Sequence, residues 1–112
     1  MFVNAALGNA FTDEGGEVGP SGGPNWNALP IWRIAAPHIS AFAPDIYERD
    51  AAAVVTYLDR YAEYGPLMVP EIGNAAEYAR FIWPAMGRGA VMFSPFGIDA
   101  TGYSNYPLGA KV

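Results

Sequence analysis

Three prolines that follow apolar segments recur at nearly equal intervals, and this spacing constrains the fold of the chain most. Pro44, Pro70 and Pro95 are 26 and 25 residues apart, the length of one strand, one helix and two short loops. Crossovers of that length allow parallel pairing of the strands. The chain is therefore predicted to be α/β, with parallel-stranded βα repeats forming part of a (β/α)8 TIM barrel, about four strands and three helices.

The segment around Pro70 is the most informative, because an apolar run there ends in the carboxylate of Glu71. A charge is costly inside an apolar strand. Glu71 is therefore either a functional group or a strand-end carboxylate that caps the next helix. Similar segments lie around Pro44 and Pro95, and each proline is expected where its strand leaves the sheet. The polar groups that follow the strands would then gather at the C-terminal mouth of a barrel.

The predicted strands cover residues 2–7, 42–47, 67–72 and 90–93, and residues 8–24 form a long Gly-rich loop. Pro30 suits the first turn of a helix that Pro37 shortens or kinks. Asp50 is the expected N-cap of the second helix. Asn74 is expected to cap the third helix, with Glu77 completing a capping box. Pro84 is expected to kink this helix or to loosen its last turn before Gly87. The apolar residues at helical spacing are Ile31, Ile34, Ala35 and Ile39, then Val54, Val55, Leu58 and Ala62, then Tyr78, Phe81 and Ile82.

The composition narrows the classes of function. The 112 residues are 52% hydrophobic, which is enough for the core of one domain, and the net charge of −5 argues against a nucleic-acid partner. The chain has no cysteine and one histidine, His38, so we expect no cofactor and no metal site. No membrane span is expected. Residues 1–4 lack the features of a secretory signal, which leaves the compartment open, a periplasmic or secreted parent included.

Several ordered blocks together carry a family resemblance. They lie at residues 3–7, 25–32, 43–47, 69–74, 93–104 and 107–109, and they cover nearly the whole chain apart from the acidic Gly-rich loop. In this pattern the chain resembles bacterial β-galactosidases of glycoside hydrolase family 35, which are retaining enzymes built on a TIM barrel. The resemblance implies that Glu71 matches the nucleophile and that the four strands are the fifth to the eighth of the barrel.

The chain departs from that family in one respect, because the Asn-Glu pair that holds the acid/base residue does not occur in it. Retention needs two carboxyl groups about 5 Å apart. Since a complete (β/α) barrel needs about 250 residues, residues 1–112 are interpreted as a single partial domain, the C-terminal half of the catalytic barrel. The complete parent would hydrolyse terminal β-galactosides, whereas the isolated chain is expected to be inactive.

Other residues near the strand ends are candidates for sugar contacts. In related barrels a neighbouring tyrosine commonly orients the nucleophile, and Tyr47 is the candidate here, with a packed rim tyrosine as the alternative. Asn4 is a candidate for a sugar hydroxyl or for a strand-end turn. Phe96 and Tyr103 lie in loops and are candidates to stack on a sugar ring. Asp45 is expected to pair with an arginine or a backbone amide rather than to act in catalysis.

The alternative to an enzyme fragment is a non-catalytic half-barrel or a carbohydrate-binding remnant, and a related β-glycosidase with another sugar preference is a third possibility. Four parallel strands would leave two open edges, and Val69, Ile72 and Phe93 would face a missing half of the barrel. We therefore expect a carbohydrate ligand and association of the chain, with a homodimer closed through the open edges as one form.

Overall fold

A computed structural model of the chain describes residues 1–6, 23–98 and 107–109, and it confirms the predicted α/β fold. The strands are β1 (Phe2–Ala6), β2 (Ala41–Ile46), β3 (Met68–Ile72) and β4 (Met92–Pro95). The helices are α1 (Leu29–Ala35), α2 (Ala51–Ala62) and α3 (Ile82–Gly87), with 3₁₀ helices at Ala76–Phe81 and Pro107–Gly109. Most of the predicted loop of residues 8–24 lies outside the described residues.

The sheet has the strand order β1-β2-β3-β4, and every neighbouring pair is parallel. Crossovers between parallel neighbours are nearly always right-handed, so consecutive helices fall on the same side of the sheet. This is the arrangement of an open half-barrel. The edges of β1 and β4 carry no further strand in the described part of the chain.

One hydrophobic core lies between the sheet and the helices. Because side chains alternate along a strand, each strand sends part of its side chains into this core. We call the side of the sheet that contacts this core the helix face. It is formed by Phe42, Ile46, Val69, Ile72 and Phe93. The opposite side is the open face, which carries Phe2, Asn4, Ala41, Ala43, Asp45, Glu71 and Met92.

This division corrects one prediction about the unfinished barrel. Val69 and Ile72 are fully buried in the core, and Phe93 packs against it. These three residues therefore do not face a missing half of the barrel. The reason is an irregularity in β3, where Val69 pairs with Phe93 but Ile72 pairs with Pro95. One extra residue in β3 changes the alternation and returns both aliphatic side chains to the helix face.

The prolines do not all lie where strands leave the sheet. Pro95 ends β4, but Pro44 and Pro70 lie inside β2 and β3. Proline lacks the N–H that a strand donates to its neighbour, so it is uncommon in central strands. Pro70 falls within the irregular stretch of β3, where the regular ladder is interrupted anyway.

Helix α2 packs on the sheet as its sequence predicts. The Asp50 carboxylate accepts a hydrogen bond from the Ala53 N–H at 2.8 Å, so the predicted N-cap is confirmed. Val54 and Leu58 are buried as expected. Tyr57 and Tyr61 join them, and the Tyr61 hydroxyl donates to the Pro24 carbonyl at 2.8 Å.

Helix α1 forms where predicted and ends before Pro37, but its apolar spacing does not mark its buried side. Ile31 and Ile34 are 69% and 83% exposed, whereas Leu29 is fully buried. Trp32 packs edge-on against Phe42, with ring centroids 6.4 Å apart. The buried side is therefore set by Leu29 and Trp32.

The third helical segment differs from its prediction. It is a 3₁₀ helix at Ala76–Phe81 followed by α3, and no side chain caps either start. The predicted capping box of Asn74 and Glu77 is therefore wrong, because Glu77 pairs with Arg49 at 2.9 Å instead. Pro84 lies in the first turn of α3, where a missing N–H costs little. Tyr78 and Phe81 are buried as predicted.

Candidate functional site

Polar side chains from β1, β2 and β3 meet on the open face near the C-terminal ends of the strands. In the register of the sheet, Asp45 of β2 lies beside Glu71 of β3, and Asn4 of β1 lies beside Ala43. Tyr47 follows directly after β2, and Phe96 follows directly after β4. The parallel strands thus bring Asn4, Asp45, Tyr47, Glu71 and Phe96 to one mouth.

Glu71 and Tyr47 form the central contact of this site. The Tyr47 hydroxyl donates a hydrogen bond of 2.6 Å to Glu71 Oε1, so the expected proximity of the two residues is confirmed. Bonds of this length are typical of a hydroxyl that donates to a charged oxygen. The hydrogen bond fixes one carboxylate oxygen of Glu71, which is half-buried, and it leaves Oε2 available to another partner.

The irregular stretch of β3 directs Glu71 toward the open face. Residues 69–72 take three steps along β3, while the paired residues 93–95 of β4 take two. Such an extra residue commonly redirects a side chain next to a functional site. The pairing of β3 with β2 is regular from Ile72 onward, as the hydrogen bond from the Gly73 N–H to the Ile46 carbonyl at 3.0 Å shows.

Tyr78 anchors the backbone of Tyr47. The buried Tyr78 hydroxyl donates to the Tyr47 carbonyl at 2.7 Å. Gly73 makes this possible, since a Cβ there would lie 2.2 Å from the Tyr78 ring. Phe96 contacts the Tyr47 ring edge-on, with centroids 6.5 Å apart. The Tyr47 ring is therefore fixed by a ring contact, a backbone anchor and the Glu71 carboxylate.

A cleft of about 170 Å³ opens beside this aromatic group. The residues that line it are Tyr47, Arg49, Gly73, Asn74, Ala75, Tyr78 and Phe96. Three of these seven residues are aromatic, and they stand beside a few polar groups, a combination typical of small-ligand sites. The Arg49 guanidinium lies at the rim, near the Tyr78 ring and paired with Glu77. A ring-shaped ligand in the cleft would contact Phe96 and the edge of Tyr47.

Asp45 is the one buried charged side chain in the described part of the chain, at 6% exposure. Its two carboxylate oxygens accept hydrogen bonds from the Asn4 side-chain amide at 3.0 and 2.8 Å. Among the described residues the partner of Asp45 is therefore the Asn4 side chain and not the predicted arginine or backbone amide. Among the described residues the Asn4 side chain contacts Asp45 rather than a strand-end turn, because alternation along β1 and β2 places the two side chains on the same face.

The electrostatics of the site follow from two neighbouring carboxylates. Burial raises the pKa of Asp45, the hydrogen bonds from Asn4 lower it, and the negative charge of Glu71 raises it again. Burial, the hydrogen bond to Glu71 and the charges of both carboxylates also hold the pKa of Tyr47 far above its ordinary value. Tyr47 therefore stays protonated and remains a hydrogen-bond donor at all physiological pH values.

The spacing of the strands gives the order of magnitude of the repulsion between the Asp45 and Glu71 carboxylates. Adjacent strands lie about 4.8 Å apart. Two unit charges about 5 Å apart repel by roughly 3 kcal/mol at an effective dielectric constant of about 20. Water on the exposed side of Glu71 screens part of this. The negative charge of Glu71 is accordingly one of the causes that raise the pKa of Asp45.

The structure brings together four of the five predicted site residues: Glu71, Tyr47, Asn4 and Phe96. Tyr103, the fifth, lies outside the described residues. Sequence reasoning missed the pairing of Asn4 with Asp45 and the anchoring role of Tyr78. The pairing of Asn4 with Asp45 could have been predicted from the alternation of side chains along parallel strands. Asn4 and Asp45 are two residues out of register and therefore lie on the same face of the sheet. The anchoring role of Tyr78 has no sequence signal, because it depends on the close approach of Tyr78 to Gly73.

No protein-family model matches the chain, and a comparison with curated proteins gives no match either. Among the described residues no group of three or more metal-ligating side chains occurs. In the same part of the chain no helix has the length and apolar character to cross a membrane.

Proposed function

We propose that the chain is the nucleophile-bearing half of a retaining β-galactosidase-like glycoside hydrolase. The observation that carries this proposal is the Glu71 carboxylate at the C-terminal mouth of a parallel sheet, held by Tyr47 at 2.6 Å. Active sites of (β/α) barrels lie at that mouth. The resemblance of the blocks around Asp45, Glu71 and Phe96 to glycoside hydrolase family 35 gives the substrate class, a terminal β-galactoside.

In this proposal Glu71 Oε2 attacks the anomeric carbon and forms a glycosyl ester, while Oε1 stays on the Tyr47 hydroxyl. The leaving group departs with a proton that a second carboxyl group must supply from about 5 Å away. Asp45 does not meet that need, because it is buried and both of its oxygens are held by Asn4. Phe96 stacks on the sugar ring beside Tyr47, and Tyr103 and Asn4 are further candidates for the sugar contacts.

The missing acid/base residue favours a second candidate for the isolated chain, a non-catalytic half-barrel that binds carbohydrate. A β-glycosidase with another sugar preference is a third. The three differ in one observable, the formation of a covalent bond between Glu71 and a defined sugar.

A mechanism-based label tests the proposal. A 2-deoxy-2-fluoro-β-galactoside with a dinitrophenolate leaving group needs no protonation, so a nucleophile alone can form the glycosyl ester. We expect mass spectrometry to find the fluorogalactosyl mass on the peptide that contains Glu71. The label should be absent in Glu71→Gln and unchanged in Glu63→Gln, an exposed residue at the end of α2.

Two other results would redirect the proposal. Labelling by the fluoroglucoside and not by the fluorogalactoside would change the sugar class. A folded chain that binds galactose but takes up no label would support the carbohydrate-binding half-barrel. Labelling of a residue other than Glu71 would contradict the role given to Glu71.

We also propose that two copies of the chain associate through the free edges of β1 and β4. A twofold axis along the barrel would pair β4 of each copy with β1 of the other, both in parallel, and would close eight strands. Unpaired edges favour such contacts, and Phe2 and Met92 expose apolar surface on the strands concerned. Light scattering at micromolar concentration should give about twice the 12.0 kDa of one chain or a larger species. A clean monomer with a cooperative melt would contradict this.

A further inference from the structure

Asp45 poses a physical problem that the proposed function does not solve. A buried carboxylate is costly unless it is paired with a cation or fully hydrogen-bonded. No ion pair among the described residues includes Asp45, and its hydrogen-bond donor there is one neutral amide, that of Asn4. An asparagine at this position could make a comparable contact with Asn4 without carrying a charge. The charge of Asp45 therefore calls for a separate explanation.

The strand order gives that explanation. Strand β2 lies between β1 and β3, so Asn4 approaches Asp45 from the side opposite to Glu71. Because both Asp45 oxygens face the Asn4 amide, the carboxylate is held toward β1. Glu71 lies beside Asp45 in the register, and like charges at this distance repel. The Glu71 carboxylate can then lower its energy by turning toward the mouth, where the Tyr47 hydroxyl donates a hydrogen bond to Oε1.

We infer that Asp45 is a positioning residue: held toward β1 by Asn4, it keeps the Glu71 carboxylate turned toward the Tyr47 hydroxyl. The inference rests on the proposed function in treating Glu71 as the reacting group. Asp45 itself touches no substrate, since it is buried. Asn4 acts through Asp45, by holding its carboxylate; this role is separate from the sugar contact proposed for Asn4.

The groups around Tyr47 allow a readout that needs no activity. Glu71, Asp45 and Tyr78 influence its phenol, and Arg49 lines the same cleft. Tyrosine labelled with ¹³C at Cζ reports the hydrogen bond of the phenol at neutral pH and its ionisation in alkali. The Tyr47 signal is assigned by its loss in Tyr47→Phe. The variant Glu71→Gln calibrates the chemical shift expected when the charged acceptor is absent.

Two variants separate the effect of the orientation of the Asp45 carboxylate from the effect of its charge. Asn4→Ala leaves the Asp45 charge but removes the group that holds it, so the Tyr47 signal at neutral pH should move toward its value in Glu71→Gln. Asp45→Asn removes the charge, so the Tyr47 signal should move the same way and the phenol should also ionise at lower pH. Asp59→Asn is the matched control, since it removes an aspartate charge that is paired with Arg88 on the surface, and it should change neither quantity.

Fluorogalactoside labelling of the same variants connects the positioning to reactivity. We expect it to be at least about tenfold slower in Asn4→Ala and in Asp45→Asn than in the wild type. An unchanged Tyr47 signal in both variants would overturn the inference. If Asp45→Asn fails to fold, Asn4→Ala decides alone, because Asn4 is exposed on an edge strand. If the Tyr47 signal changes in the variants but the wild type takes up no label, the proposed function is refuted and the positioning role of Asp45 stands. If the wild type is labelled but the Tyr47 signal is unchanged in both variants, the positioning role is refuted and the proposed function stands.

Discussion

The two sides of the sheet differ in what covers them. The helix face is buried under α1, α2 and the segment from the 3₁₀ helix to α3, and its side chains are almost entirely aliphatic or aromatic. The open face has alanines in its centre and carries Asn4, Asp45 and Glu71. No helix packs on it in the described part of the chain. A single sheet thus separates an apolar core from a polar site.

This difference shows how such a half-barrel divides its tasks. The helix face supplies the free energy of folding, because buried apolar surface contributes about 25 cal/mol per Å². Part of that free energy offsets the cost of holding the Asp45 and Glu71 carboxylates next to each other on the open face. Substitutions on the two faces should therefore have effects of very different size on stability and on chemistry.

The largest effect on stability is expected in the core. Leu58 of α2 is 1% exposed and belongs to the cluster under the sheet. Leu58→Ala should lower the free energy of unfolding by about 2–5 kcal/mol, because it removes apolar contacts and leaves a cavity. Urea denaturation at fixed protein concentration measures this. A loss below about 1 kcal/mol would show that the core under the helix face is loosely packed.

An intermediate effect is expected where the core supports the site. Gly73→Ala would place a Cβ 2.2 Å from the Tyr78 ring, so the ring must move. We expect a loss of about 1–3 kcal/mol, typical of overpacking, together with a changed Tyr47 signal, because Tyr78 anchors the Tyr47 carbonyl.

The control for this prediction is Gly87→Ala at the end of α3, where a Cβ would meet no atom within 4 Å. This substitution should be neutral or stabilise the chain by about 0.5–1 kcal/mol. Equal effects of Gly73→Ala and Gly87→Ala would mean that the contact between Gly73 and Tyr78 does not constrain the site.

The smallest effect is expected on the outer surface of α1. Ile34 is 83% exposed, so Ile34→Ala removes few contacts and gains helix propensity. The free energy of unfolding should change by less than about 0.5 kcal/mol. A loss as large as that of Leu58→Ala would show that Ile34 is buried in solution, by association of the chain through α1.

The repeat of 26 and 25 residues predicted the fold, because the length of a βα unit limits how strands can pair. The Asp50 cap and the shortening of α1 before Pro37 also followed from local chemistry. The buried side of α1 did not, since a seven-residue helix makes too few contacts for its spacing to decide its orientation. The capping box at Asn74 failed because Glu77 found the guanidinium of Arg49, a tertiary contact.

The site was predictable in part. The strand repeat predicted that Glu71 and Tyr47 share one end of the sheet, and the resemblance to related barrels made Tyr47 the candidate to orient the Glu71 carboxylate; the two side chains are in contact. The extra residue in β3 was not predictable, although it determines that Val69 and Ile72 share the helix face while Glu71 faces the other way. Such irregularities depend on the register with a neighbouring strand, which the residues of one strand do not encode.

The chain should contain a positioned nucleophile and lack a positioned acid, and the release of dinitrophenolate from dinitrophenyl β-galactoside tests both statements at once. Because this leaving group needs no proton while hydrolysis of the ester needs a base, we expect a burst of at most one equivalent per chain, followed by no turnover above buffer. Glu71→Gln should abolish the burst. Sustained turnover that requires Glu71 would contradict the expected absence of an acid/base residue, and a burst that survives Glu71→Gln would contradict the proposed role of Glu71 as the nucleophile.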